Sequence, residues 1–306
     1  MKLCLLLVML VGSVINFAGE KITSPATLIF VGDIMLSRGV GRIMEKKNDW
    51  QYPFLEIKDN LAEADLLVGN LEGPISSRGV KVGSIYSFRA DPRAVLGLTG
   101  AGFDILSLAN NHIWDYGRDA FGETLDILRN NRIDYIGAGI DYTEAHQPLV
   151  RAVRGTKIAF LAYTDLVPVG ITRETAKPAV AFLDLKQIIL DIEQAKNLAD
   201  LVAVSFHWGN EYETKHNQQQ EAMAHAVIDA GADLVIGHHP HVAQEVEKYK
   251  DGYIAYSLGN FIFDQNFSQD TRSGLILKVT LKNKKIEQIV EQKIKFTSTY
   301  QPVLDF

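Results

Sequence analysis

Short apolar runs at residues 27–31, 66–68, 105–108, 158–162, 201–205 and 234–236 alternate along the chain with stretches whose apolar residues recur at helical spacing, 53–64, 118–130, 184–198 and 218–230. Strands that alternate with helices predict an α/β architecture. Towards the C-terminus the period changes. Leu275, Leu277, Val279 and Leu281 alternate with polar neighbours inside 273–295, the signature of a terminal pair of strands. No repeat of fixed period is visible and no stretch is rich enough in Pro, Gly or Ser to be a linker, so 26–306 reads as one continuous domain.

The ends of the predicted strands share a layout. Asp65, Asp104, Asp200 and Asp233 each precede an apolar run. Each run leads into a polar cluster: Gly69-Asn70-Leu71-Glu72, Ala109-Asn110-Asn111-His112, His207-Trp208-Gly209-Asn210-Glu211 and Gly237-His238-His239-Pro240-His241. The first strand likewise runs into Gly32-Asp33. Open α/β sheets bind ligands beyond the carboxyl ends of their strands, so five such ends predict one shared site.

Composition narrows the class. With 306 residues, 47% of them apolar and 22% charged, the chain can bury a sizeable core, which excludes disorder and collagen-like repeats. A net charge of −6 argues against nucleic acid as a partner. Lys2, the apolar run 3–15 and the small-residue exit Ala18-Gly19 predict a secretion signal over 1–19, with an uncleaved anchor as the alternative. An extracytoplasmic location follows from either. The single cysteine, Cys4, lies too early in that run for lipid attachment, and no intrachain disulfide can form. Any metal site must therefore use nitrogen and oxygen ligands.

His239 and His241, one residue apart on an extended segment, would present both imidazoles to one side, with Pro240 restricting the backbone between them. His207 ends a similar strand; the bland reading is a hydrogen-bonded core histidine. Asp33 is placed to ligate a cation, or else to cap a helix over 34–46. Asn70 and Glu72 are the next oxygen donors, unless their glycines simply form turns. Asn111 offers an amide oxygen to a cation while His112 remains free to contact substrate or donate a proton. Mixed carboxylate, amide and imidazole donors suit Mn, Fe or Zn better than Ca. Two such ions roughly 3.5 to 4 Å apart would clamp the attacking and leaving oxygens of a phosphoester displacement. Arg38, Arg42, Arg78, Lys81, Arg89 and Arg93 are candidates for a basic rim that meets a polyanion, against the alternative of a dispersed solvated surface.

These segments, together with Gly32-Asp33-Ile34-Met35, Gly73-Pro74 and Tyr256-Ser257-Leu258-Gly259-Asn260-Phe261, cover about 27–265 in order. On them the sequence resembles the capsule-synthesis family named for the poly-γ-glutamate synthesis protein CapA, a branch of the calcineurin-like metallophosphoesterase superfamily. The resemblance implies a four-layer α/β/β/α sandwich with two central mixed sheets and a two-metal site at the strand ends. It assigns Asp33, Asn111, His207, His239 and His241 to the metals and His112 to the substrate side. Met35 stands where many superfamily members carry a histidine, and Asn70 where they carry a bridging aspartate, for which Glu72 is the substitute. His238, Asn210, Glu211, Asn260 and Arg38 would then surround the ligands or meet the substrate. His146, His216 and His225 carry no motif and read as surface or helix residues. The resemblance implies a secreted or envelope-associated protein of capsule synthesis or export, with membrane partners in that machinery. Its site would be a metal-dependent hydrolase acting on a phosphoester or an anionic polymer, or else a non-catalytic, metal-stabilised accessory component.

Overall fold

The computed structural model describes residues 24–82, 85–166 and 178–306. The segment 1–19 and Cys4 lie outside them. Among the described residues no helix is long and apolar enough to cross a membrane.

In chain order the strands are β1 (Ala26–Ile34), β2 (Leu66–Leu71), β3 (Ile105–Ser107), β4 (Asp134–Ile136), β5 (Ala138–Gly139), β6 (Leu149–Val153), β7 (Thr156–Thr164), β8 (Ala179–Val180), β9 (Leu201–His207), β10 (Leu234–His238), β11 (Val246–Tyr249), β12 (Gly252–Ala255), β13 (Asn260–Ile262), β14 (Ser273–Lys282), β15 (Lys285–Phe296) and β16 (Pro302–Leu304). The helices are α1 (Arg38–Lys47), α2 (Lys58–Leu61), α3 (Val95–Ala101), α4 (Gly117–Asn130), α5 (Tyr142–Ala145), α6 (Leu185–Leu198) and α7 (Gln218–Asp229). One mixed sheet runs β16-β15-β14-β1-β2-β3-β4 with β13 added to β1, and a second runs β11-β12-β10-β9-β7-β6. The β14–β15 hairpin is the strand pair expected from the alternation in 273–295.

Period-two alternation along the strands sorts their side chains between cores. On β1, Ile29 and Val31 pack with Val40 and Met44 of α1 and with Phe121 and Leu125 of α4. Leu28 and Phe30 face the other way, joining Phe160, Ala203 and Ile236 of the second sheet. The outer face of that sheet, with Val202, Val204 and Val235, packs on Ile188 and Ile192 of α6 and Val227 of α7. Three apolar cores thus alternate with two sheets, and the central strands β1, β2, β3, β7, β9 and β10 are buried on both faces, which is why they read as nearly continuous apolar runs.

The acidic residue before each strand has a structural task. Asp65 accepts the amide of Thr27, Asp104 that of Leu67, Asp200 that of Lys157 and Asp233 that of Val202, at 2.8–2.9 Å. The backbone amide of each aspartate returns a bond to the carbonyl of the same partner, at 2.8–3.0 Å. Each aspartate therefore brackets one residue of the neighbouring parallel strand. The brackets fix the register at the base of both sheets and bring the strand ends level at the top.

Two predicted helices differ in the structure. Residues 53–64 form a 3-10 turn at Tyr52–Phe54 and the single-turn α2. The Phe54, Ile57 and Leu61 spacing is met by successive i→i+3 bonds, Leu55 N to Tyr52 O and Ile57 N to Phe54 O, instead of one continuous ladder. The helix expected over 34–46 begins at Arg38, after Ser37. Asp33 is still inside β1 and caps nothing.

Candidate metal centre

Five strand ends converge above the core between the sheets. Asp33 is the penultimate residue of β1, Asn70 sits in β2 with Glu72 just beyond it, and Asn110, Asn111 and His112 follow β3. His207 closes β9, and His238, His239 and His241 lie at and after the end of β10. Gly32 and Gly237 let the returning chain at 256–260 cross close over these ends. A Cβ on Gly32 would lie 1.9 Å from the Gly259 carbonyl oxygen, and one on Gly237 1.8 Å from that of Tyr256.

Asp33 is fully buried and wired on all sides. It accepts Asn70 Nδ2 at 2.8 Å and the His239 amide at 3.2 Å, and His238 Nδ1 and His241 Nδ1 each lie 3.3 Å from it. Burial alone would raise its pKa, but the His238 and His241 contacts outweigh it and hold the carboxyl well below the usual range. Asn70 Oδ1 is taken by Asn110 Nδ2 at 3.1 Å, so the Asn70 side chain is occupied inside a hydrogen-bond network.

Glu72 is the opposite case. Both its carboxylate oxygens are buried without a hydrogen-bond partner. His241 Nε2 and His112 Nε2 stand 3.5 and 3.8 Å from Oε1. Burial pushes its carboxyl well above the ordinary value. Of the two candidates for the bridging acid, Glu72 is the one that faces the centre with free lone pairs.

His207 Nε2 lies 2.8 Å from Asn111 Oδ1, and burial, then the neighbouring His239, lowers the pKa of its ring. His239 is pushed down to about 3, first by burial and then by His241. For His241 burial also lowers the pKa, but the Glu72 and Asp33 carboxylates outweigh it and raise the ring to about 9. Its Nδ1 meets Asn260 Oδ1 at 3.0 Å, and Asn260 is held in turn by Gln265 and the Thr271 carbonyl.

The histidine pair converges by a different route from the extended segment expected. His239 and His241 have φ of 97° and 59°, so a left-handed turn around Pro240 brings the ring centroids to 5.8 Å. Non-glycine residues held in this region store strain of the kind found at functional sites.

The donors fall into two groups whose atoms lie within 4.8 Å of one another: Asp33, Glu72 and His207, all buried, and His239, His241 and the exposed Glu211. Carboxylate and imidazole donors of this kind, with orphaned lone pairs on Glu72 and an unpartnered Nδ1 on buried His239, fit a divalent transition metal.

A cleft of about 490 Å³ opens beside these groups, lined by His112, Asn111, Arg38, Phe88, Glu211 and Tyr212 among others. His112 Nδ1 is 2.8 Å from Asp115 Oδ2, and its ring lies on that of Phe88 with centroids 4.1 Å apart. Arg38 stands at the lip, 3.0 Å from Asp264 and over Phe88. Of the six basic residues considered for a rim, Arg38 alone lines this cleft. Arg78 and Arg93 pair with Glu123 and Asp91, and Arg89 lies over Tyr116. Asn210 is exposed and lines a neighbouring depression with Asn217 and Met223.

Asp115, Phe88 and Asp264 were not singled out in the sequence. Only Asp115 left a local trace, an acid three residues after His112. His146 is not a surface residue: it is buried, with Nδ1 2.8 Å from Asp191, which also accepts Tyr163 Oη–H.

Residues 27–265 match the model of the bacterial capsule synthesis protein family PGA_cap. The chain is 36% identical over 258 residues to a capsule biosynthesis protein CapA of Bacillus anthracis, covering 82% of this chain and 62% of that one. It is 35% identical over 250 residues to a PGA biosynthesis protein CapA of Bacillus subtilis, covering 81% and 66%. It therefore spans a little under two thirds of the length of these relatives. Among solved structures, the NAD nucleotidase of Haemophilus influenzae superposes with a TM-score of 0.50 at 11% identity, covering 93% of this chain and 54% of that one. A 5′-nucleotidase precursor from Thermus thermophilus gives 0.50 at 13%, covering 91% and 56%. These two likenesses concern the fold alone.

Proposed function

Because the chain belongs to the bacterial capsule synthesis protein family PGA_cap, we propose that it acts in the cell envelope as a metal-dependent hydrolase. It would serve the synthesis, export or attachment of an anionic poly-γ-glutamate-like polymer alongside membrane components of that machinery. The observation that carries the hydrolase reading is Glu72, a buried carboxylate with neither oxygen hydrogen-bonded, set among Asp33, His207 and His241. A buried carboxylate whose oxygens accept no hydrogen bond is costly to hold, and a bound cation would satisfy them.

Asp33, Glu72, Asn111, His207, His239 and His241 would hold one or two divalent ions of Mn, Fe or Zn. Such an ion, when bound, supplies Lewis-acid polarisation of a phosphoryl or acyl oxygen. His112 does the proton work. Asp115 engages Nδ1 and leaves Nε2 as the nitrogen directed towards the centre, from which a leaving oxygen would take its proton. Asp115 is itself fixed by the Phe88 amide at 2.7 Å, and the Phe88 ring supports the imidazole. Arg38, held by Asp264, offers a positive group to an anionic substrate at the mouth.

A second reading, an accessory component that turns nothing over, draws on Met35. Its thioether accepts from the Ser37 amide and hydroxyl at 3.2 and 3.0 Å and gives the centre no nitrogen. Elemental analysis of purified protein, followed by a screen of phosphomonoesters, phosphodiesters and γ-glutamyl peptides, separates the two. Turnover abolished in His112→Ala with metal retained supports the hydrolase. Bound metal without turnover, together with a capsule defect on deletion, supports the accessory role. Protein that takes up no divalent metal sinks both.

A further inference from the structure

The two donor groups are built unequally. Asp33, Glu72 and His207 are buried and come from strand ends or the residue after one. The other group joins buried His239 and His241 to a carboxylate from the exposed segment after β9. That segment is not free to wander. Trp208 donates its amide to the His238 carbonyl at 3.1 Å, and Tyr212 donates to the Pro240 carbonyl at 2.8 Å. Between these two anchors Gly209 takes φ of 82°, and Tyr212 takes φ of 66° although it carries a side chain. The segment is thus pinned at both ends to the turn that carries the histidine pair, and Glu211 is set against it. His239 Nδ1 is buried, with His239 only 5% exposed, and has no hydrogen-bond partner.

We propose that Glu211 is a metal ligand, completing with His239 and His241 a second, outer cation site that is separable from the inner one at Asp33, Glu72 and His207. This rests on the metal-centre reading above and adds to it the residue that makes the second ion's site. The inner ion is enclosed by buried donors and is released slowly. The outer ion depends on one solvent-exposed carboxylate that also lines the substrate cleft, so it exchanges readily with ions in the surroundings.

The test is metal stoichiometry and not turnover. The whole protein is stripped with a chelator, reloaded with Mn2+ and desalted, and metal per chain is measured by elemental analysis, with calorimetric titration of Mn2+ alongside. Wild type binds two equivalents, one more weakly than the other. Glu211→Gln retains one tight equivalent and binds the second at least about tenfold more weakly. Asn210→Ala, an exposed neighbour outside the donor groups, behaves as wild type, and thermal melts of the metal-free forms coincide because Glu211 is at the surface. Glu211→Gln and Glu211→Ala that both keep two equivalents at unchanged affinity overturn the assignment and leave the metal-centre reading standing. Wild type that binds no Mn2+ overturns both.

Discussion

His207 Nε2 lies 2.8 Å from Asn111 Oδ1, and this contact crosses from one sheet to the other. Asn111 follows β3 in the first sheet, whereas His207 closes β9 in the second. The candidate metal centre therefore exists only when the two sheets are stacked, and its ligands report on the packing of the central core.

Removing an inner donor should remove the cation. His207→Ala is expected to bring metal content below half of wild type, and His239→Ala to lower the total as well. Far-UV circular dichroism should be unchanged in both. Undiminished metal in the pair would sink the centre.

Proton transfer should be separable from metal holding. His112→Ala is expected to lower kcat by about 10²- to 10⁴-fold on whichever substrate the screen identifies, with metal content intact. Asp115→Asn keeps an acceptor near Nδ1 but loses the charge, so its rate should fall between wild type and His112→Ala. A His112→Ala enzyme of wild-type rate would reassign the proton donor.

Metal affinity should depend on pH with a known sign. Glu72 and Asp33 overcome the effect of burial and raise His241 from 6.5 to about 9. In the metal-free protein this protonated ring stabilises the fold fully below about 6.5, and that contribution fades as pH rises through about 9. A cation must displace the proton, so apparent affinity should rise by up to about tenfold per pH unit between 6.5 and 9. Calorimetry in two buffers of different ionisation enthalpy should detect the released proton; an affinity flat across this range would contradict it.

The aspartate brackets should carry stability. Asp233→Ala leaves the Val202 amide without its 2.8 Å acceptor, at a cost of about 1–3 kcal/mol. Asp233→Asn, which retains a carbonyl oxygen, should lose less. Urea denaturation of the metal-free forms measures the difference, and equal midpoints for Asp233→Ala and wild type would show that the register is held elsewhere.

Gly32 should tolerate no side chain. Gly32→Ala places its Cβ 1.9 Å from the Gly259 carbonyl oxygen, a backbone atom that cannot swing away. Destabilisation of at least about 1–3 kcal/mol is expected, together with metal loss because Asp33 is the next residue. Thermal melting and elemental analysis check both.

The amino-acid sequence by itself determined the central strands β1, β2, β3, β7, β9 and β10, the helices α4, α6 and α7, and the terminal hairpin. Period-two and helical spacing are local consequences of backbone geometry, and the chain obeyed them wherever tertiary contacts agreed. It also marked every strand end that contributes to the centre, because a carboxylate or imidazole directly after a buried run is conspicuous in one dimension. The repeated acid before each strand was equally visible, but its use was not: that Asp104 brackets Leu67 and Asp233 brackets Val202 depends on which strands become neighbours.

Only the tertiary structure decided between Asn70 and Glu72. It filled the amide's bonds with Asp33 and Asn110 and left both carboxylate oxygens free. It turned the histidine pair through left-handed backbone, buried His146 beside Asp191, moved the start of α1 to Arg38 and set Asp115 behind His112. Apart from the His112–Asp115 contact, these outcomes are settled by atoms that approach across tens or hundreds of residues of chain. Local spacing acts over a few residues and cannot rank such contacts, whereas stacking two sheets with their ends level selects one arrangement and excludes the rest.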